Sequence, residues 1–196
     1  MSTLPKAFFN RPAPEVARDL IGCYLAVRRG GKILRLRVTE AEAYEGFDDL
    51  ASHAARGLTR RNQVMFREAG HIYVYFVYGM HWMLNVVTGP AGYPAAVLLR
   101  GAQSTDGAAN YDGPAKLTKA LGITGAFSGQ TLSRKTGVWI EAPKPGLPKA
   151  RVAATPRIGV DYAGPVWSKK PYRFVAAAGR SRGPSADPRI PAPGGS

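Results

Sequence analysis

The chain has a single cysteine, Cys23, which excludes an internal disulfide and any zinc cluster built on thiolates. It has three histidines (His53, His71 and His81), too few to suggest a dedicated metal centre, so neither metal nor cofactor is expected. No apolar run approaches the roughly 18 residues that a membrane-spanning helix requires. The opening Met1-Ser2-Thr3-Leu4-Pro5 lacks the pattern of a secretory signal, so a cytoplasmic location is expected. GxGxxG, P-loop, HExxH and GxSxG patterns are all missing, which removes support for nucleotide-cofactor, zinc-peptidase and serine-hydrolase readings. Acids are scarce as well: 13 Asp and Glu stand against 27 Lys and Arg, for a net charge of +14. Five of those acids (Glu40, Glu42, Glu45, Asp48 and Asp49) lie within ten residues, which leaves the rest of the chain more basic still. A folded, strongly basic domain calls for a polyanionic partner, most often nucleic acid. An anionic membrane surface would need a Lys-rich amphipathic helix with a broad apolar face, and none is legible.

What is present fits one domain. At 196 residues and 45% hydrophobic content the chain can bury a real core. Residues 1–12 read as a loose lead-in, and Pro14–Ile21 as a short amphipathic helix stopped by Gly22. Tyr24 to Arg28 and the residues from Ile33 onward read as a hairpin turning at Gly30-Gly31. Residues 45–71 are polar, without steady periodicity, and read as an ordered loop region. Ile72–Tyr78 and Trp82–Val87 form an aromatic hairpin reversing at Gly79-Met80-His81, and Ala95–Arg100 is a further strand. Pro114–Leu121, between Gly113 and Gly122, has the punctuation of a helix. Val138–Glu141 and Tyr172–Val175 are short strands. The domain is drawn over residues 1–178, and the Gly/Pro/Ser/Arg-rich tail, 179–196, is expected to be disordered.

The segment Val38-Thr39-Glu40-Ala41-Glu42-Ala43-Tyr44 carries the sharpest chemical signal. Leu34, Leu36 and Val38 alternate with Arg35, Arg37 and Thr39 as in a half-buried strand. Continued without interruption, that register places Glu40, Glu42 and Tyr44 on the apolar, inward face. Burying an ionised carboxylate is costly unless it is paired, so inward acids at a strand end suggest a reaction site. A bulge near Thr39 would instead leave both acids in solvent. Asn85 and Arg100 are polar residues inside otherwise apolar strands. A buried Arg100 would need an acid, either Glu40 or Glu42, and a structural ion pair explains it as well as catalysis does. The Tyr73/Tyr75 stripe fits a core as well as a base-stacking platform. Tyr78, at the turn, could project and wedge between base pairs. Arg60, Arg61, Lys116 and Lys119 are candidate phosphate contacts.

The stretches Thr39–Tyr44, Ala51–Ala54, Thr59–Asn62, Met65-Phe66, Tyr73–His81, Asn85–Thr88, Ala96–Arg100, Gly113–Leu117 and Arg157–Val160 closely resemble the alkyladenine (3-methyladenine) DNA glycosylase family. The resemblance runs in order from about residue 8 to 176. It implies an α+β fold: one compact domain with a curved antiparallel sheet, short flanking helices and a protruding hairpin that enters the minor groove. It also implies hydrolysis of the N-glycosidic bond of alkylated or deaminated purines in double-stranded DNA. No Lys stands in the motif region as a Schiff-base nucleophile, so no lyase activity is expected, and a monomer is expected. Carried over by position, Glu42 would be the general base, with Arg100 and the Ile158 carbonyl holding the attacking water. Tyr44, Tyr75 and His53 would enclose the flipped base, and Asn85 would screen its exocyclic groups. Tyr78 would fill the gap left in the duplex. Apart from the resemblance, Met80 at the same tip is a further candidate for intercalation, and the basic Arg60, Arg61 and Lys116 are expected to contact the DNA backbone. The chain departs from the family pattern at Ala115, at Gly101-Ala102-Gln103 and at Trp82-Met83. A catalytically silent binder of bent or damaged DNA is the rival reading, and an RNA-binding module has only charge and aromatics in its favour.

Overall fold

Alternating side chains build most of the molecule into strands, described here from a computed structural model covering residues 1–143, 146 and 151–177. The tail from residue 179, and the domain boundary at 178, lie outside the described residues. The strands are β1 (Tyr24–Arg29), β2 (Lys32–Glu45), β3 (Ile72–Val77), β4 (His81–Val87), β5 (Ala95–Ser104), β6 (Asn110–Asp112), β7 (Val138–Glu141), β8 (Val152–Thr155) and β9 (Arg173–Ala176). They form one open sheet of antiparallel pairs in the order β3-β4-β5-β2-β1-β7. β6 adds to β5, β9 adds to β2, and β8 adds to β9. The helices are short: α1 (Lys6–Phe9), α2 (Ala13–Leu20), α3 (Pro114–Leu121) and α4 (Gly164–Trp167). This is a single α+β domain.

The main core lies on one face of the sheet. Val16, Ala17 and Leu20 of α2 and Leu117 and Leu121 of α3 recur at helical spacing. They pack with Ile72 and Val74 of β3, Leu84 and Val86 of β4, and Val97 and Leu99 of β5. The lead-in is not loose. Residues Lys6–Phe9 are helical, Phe9 is 1% exposed, and Thr3 bridges Glu141, because the ring of Phe9 completes the core beside α2. Two further sequence expectations need extending. The strand beginning at Ala95 runs on to Ser104, and β6 and β8, of three and four residues, are too short to show an alternation.

The long strand β2 does not keep its register. Leu36 and Val38 face the main core, but the next core residues are Ala41 and Ala43. The ladder pairs Val38 with Ala102, Glu40 with Gly101 and Ala41 with Leu99, so Thr39 on β2 and Arg100 on β5 each fall outside it. An extra residue in a strand reverses which face the following side chains take. Glu42 and Tyr44 therefore lie on the face opposite the main core, which corrects the expectation that they point inward with Leu36 and Val38. The bulge does not leave them in solvent either, because residues 46–71 and 157–163 cover that second face. Gly101 makes the close approach possible. A Cβ there would lie 3.0 Å from Thr39 Oγ1 and 3.1 Å from the Cβ of Glu40.

Candidate active site

Glu42 has no exposed surface, and its carboxylate is held from several sides. The Ile158 N–H donates to Oε1 at 2.8 Å, and the Tyr44 hydroxyl donates to Oε2 at 2.9 Å. Arg100 reaches both oxygens at 3.4 Å, through Nε to Oε1 and through a terminal nitrogen to Oε2. Arg100 lies closer to Glu40, with Nε 2.9 Å from Oε1. The choice between Glu40 and Glu42 as its partner thus resolves to both, with the shorter bond going to Glu40. Burial raises the Glu42 carboxyl above its ordinary value, although Arg100, Ile158 and Tyr44 pull it down and Glu40 adds to the rise. An under-solvated carboxylate is a stronger base than a surface glutamate, and one ringed by donors keeps a defined orientation.

Beside Glu42 a pocket opens between the sheet and the covering loops, lined by Tyr44, His53, Tyr73, Tyr75, Asn85 and Tyr162, with Ala51, Met65 and Ala96 completing its wall. Alternation on β3 and β4 brings Tyr73, Tyr75 and Asn85 to this face while Ile72, Val74, Leu84 and Val86 enter the core. The stripe of Tyr73 and Tyr75 is therefore pocket wall rather than main core. The His53 ring meets Tyr75 edge-on at 4.6 Å, and its Nδ1 lies 3.0 Å from the Tyr73 hydroxyl. Burial, and then the charge of Arg61, lower the His53 pKa, so the neutral ring is favoured. Burial, with Glu42 nearby, pushes the Tyr75 phenol up to about 12. Asn85 is 3% exposed, and its amide nitrogen donates to the carbonyls of Tyr73 (3.1 Å) and Met83 (3.4 Å). Two carbonyls on one side set the direction of the amide, because only the nitrogen can donate to them.

The hairpin tip carries Tyr78 at 87% and Met80 at 66% exposure. Tyr78 (φ 51°) and Gly79 (φ 68°) both adopt left-handed backbone, with the Met80 N–H bonded to the Val77 carbonyl at 3.1 Å. Positive φ at both central residues is the signature of the primed hairpin turns. Of the candidate backbone contacts, Arg60 lines a groove on one flank of the hairpin with Arg67 and Gln130, and Lys116 lines a groove on the other flank with Met80 and His81. Arg61 is tied down. It donates to the Phe76 carbonyl at 3.0 Å and stands 5.6 Å from the Tyr75 ring centre.

Several residues that shape the site were not singled out from sequence. Asp49 and Arg157 form a two-pronged ion pair at 2.6 and 2.8 Å with both side chains fully buried. The same guanidinium lies 4.7 Å from the Tyr44 ring centre and places Ile158 next to Glu42. Arg173 on β9 donates to Glu40 at 2.6 Å. Tyr162 lies at the pocket mouth, its hydroxyl bonded to the Ala51 carbonyl. Asn62 is 1% exposed and ties the loop together through the carbonyls of His53 and Gly57, both at 2.8 Å, which gives Asn62 an architectural role in the Thr59–Asn62 stretch. Asp49 was visible only as one of an acid run, and its partner is 108 residues away.

The site stands in a recognisable context. A sequence model of the family described as methylpurine-DNA glycosylase matches residues 7–180. A protein of Myxococcus xanthus carried under the provisional name 3-methyladenine DNA glycosylase is 45% identical, over 98% of this chain and 100% of its own. Proteins with the same provisional name from Methanocella arvoryzae (41% identity; 89% of this chain, 92% of that one) and Burkholderia cenocepacia (38%; 89% and 91%) are similarly close. A match running through both halves of the site, from Glu42 to Arg157-Ile158, is a match of the whole domain: the chain belongs to the methylpurine-DNA glycosylase family.

Proposed function

We propose that the protein is a DNA-repair glycosylase that flips an alkylated or deaminated purine out of duplex DNA and hydrolyses its N-glycosidic bond. A base within the stack cannot be attacked at the sugar, so extrusion comes first. The Tyr78 ring takes the space the nucleotide leaves, with Met80 beside it. The extruded purine enters between Tyr44, Tyr75 and His53, where a cationic alkylated ring gains cation–π attraction. Asn85 screens exocyclic groups at the pocket floor, so 3-methyladenine-, hypoxanthine- and ethenoadenine-type bases are the expected substrates. Glu42 takes a proton from a water held with Arg100 and the Ile158 carbonyl. The water oxygen bonds to the sugar carbon as the glycosidic bond breaks, and the bonding electrons leave with the purine. Neutral His53 suits contact with an already cationic base.

The observation that carries this reading is the fully buried Glu42, gripped by Arg100 and Ile158 beside an aromatic pocket in a protein of net charge +14. Binding bent DNA requires no buried base. The test uses duplex oligonucleotides bearing hypoxanthine, ethenoadenine or 7-methylguanine and measures released base. Wild type should release base, and Glu42→Gln should bind the same duplexes while excising at least ~100-fold more slowly in single turnover. Wild-type excision by Glu42→Gln would remove Glu42 from the mechanism. No excision by the wild-type chain on any of the three duplexes would favour the silent binder.

A further inference from the structure

Four charged side chains meet at the double bulge. Glu40 Oε1 receives two arginines at once, Arg100 Nε at 2.9 Å and Arg173 Nε at 2.6 Å. Glu42 receives only the longer 3.4 Å approaches of Arg100. Two carboxylates and two guanidiniums balance in charge, but Arg100 is shared unequally. Arg173 is itself anchored, since its terminal nitrogen donates to Thr155 Oγ1 at 3.2 Å, and its strand pairs Arg173 directly with Glu42. Gly101 pairs with Glu40 across the bulge, and a Cβ there would come within 3.1 Å of the Glu40 Cβ and 3.5 Å of its Oε2, so the glycine leaves the Glu40 carboxylate room to meet both arginines.

We propose that Glu40 is a positioning residue that competes with Glu42 for Arg100, and that Arg173 sets the strength of this competition by occupying the same Glu40 oxygen. The proposal rests on the reading of Glu42 as the base. A guanidinium fully engaged with Glu42 would stabilise its ionised form and make it a poorer base. One held back at 3.4 Å by Glu40 can still orient it. The other charged or titratable groups around Glu42 are Tyr44 on its own strand, Tyr75 from β3, and the Arg157–Asp49 pair behind Tyr44. Tyr75 feels the charge of Arg100, but none of these groups is hydrogen-bonded or ion-paired to it among the described residues.

Removing either competitor should move the system in opposite directions. Glu40→Gln releases Arg100 to Glu42, while Arg173→Gln leaves Glu40 free to draw Arg100 further away. The experiment is single-turnover excision from a hypoxanthine duplex by the full chain across pH, with melting temperature measured for each variant. The acid limb of the rate should shift down by about one pH unit in Glu40→Gln and up by a comparable amount in Arg173→Gln, the scale of a close opposite charge. If only one variant folds, the direction of its own shift decides. Folded variants whose limbs stay put, or shift in the same direction, would overturn the competition, as would loss of all excision in folded Glu40→Gln. Glu42→Gln measured alongside separates the two failures. If it excises with the wild-type limb, the reading of Glu42 falls. If it is inactive while the other two variants keep the wild-type limb, only the role given to Glu40 and Arg173 falls.

Discussion

At the scale of single residues, the ladder around the site turns on Thr39 and Arg100, each left out of the pairing between β2 and β5. That geometry takes Glu42 off the main core face and places it against Ile158, in a position that alternation alone would assign to another side of the sheet. The buried carboxyl is raised above its ordinary value, with desolvation the largest cause. The sign follows from this. A group whose folded pKa lies above its unfolded value stabilises the fold at low pH, and that stability is lost as pH rises through the folded value. The ionised form is the one needed to accept a proton from water. Excision should therefore climb with pH to a midpoint above the roughly 4.3 of a free glutamate. Glu42→Gln, which mimics the neutral acid, should melt no lower than wild type at pH 7. An acid limb at or below the free-glutamate value, or a Glu42→Gln variant that melts well below wild type, would contradict this account.

At the scale of elements, the β3–β4 hairpin does two jobs through one alternation. Tyr73, Tyr75 and Asn85 form the pocket wall, while Ile72, Val74, Leu84 and Val86 fix the hairpin to the core. Just below its tip the hairpin is braced by Trp82. That ring packs at a tilt against Phe76, centroids 4.6 Å apart, and presses on Gly125, where a Cβ would fall 2.8 Å from the indole. The Trp82 departure from the family pattern thus sits in the support of the hairpin, not in the pocket. With the tip exposed and the strands braced just below it, Tyr78→Ala should melt close to wild type, since a ring that is 87% exposed contributes little packing. The same variant should show a weaker fluorescence change on binding an ethenoadenine duplex, because nothing fills the vacated space. Substrates whose base is already poorly paired should suffer less. A large fall in melting temperature with flipping intact would return Tyr78 to a folding role.

For the whole molecule, the net charge of +14 is distributed by pairing. Glu40 is taken up by Arg100 and Arg173, Asp49 by Arg157, and Glu141 by Arg35 and Arg134. Acids that are buried and paired cannot offset the surface, so the cation excess falls on exposed residues such as Arg60 beside the hairpin. Affinity for undamaged duplex should accordingly fall more than about 100-fold between roughly 50 and 200 mM salt, as release of four or more counterions requires. Titration of a labelled undamaged duplex at several salt concentrations measures this. A flat response would mean that the surface charge is not the grip on the backbone.

Composition and local pattern were enough to establish a basic single domain, the aromatic hairpin and its turn, the helices α2 and α3, and the family through its ordered motifs. These are properties of neighbouring residues, and a chain displays its neighbours directly. The sequence also marked Glu42, Arg100 and Asn85 as polar residues out of place in apolar strands, because burying a polar group is costly wherever it occurs. Only the tertiary structure decided which face Glu42 takes, since one unpaired residue in each of two strands reverses the alternation without changing the composition. Only it joined Arg157 to Asp49 and Arg173 to Glu40, pairs separated by 108 and 133 residues. A long-range ion pair leaves no local trace in the chain, because what pairs two charges is the path of the backbone between them.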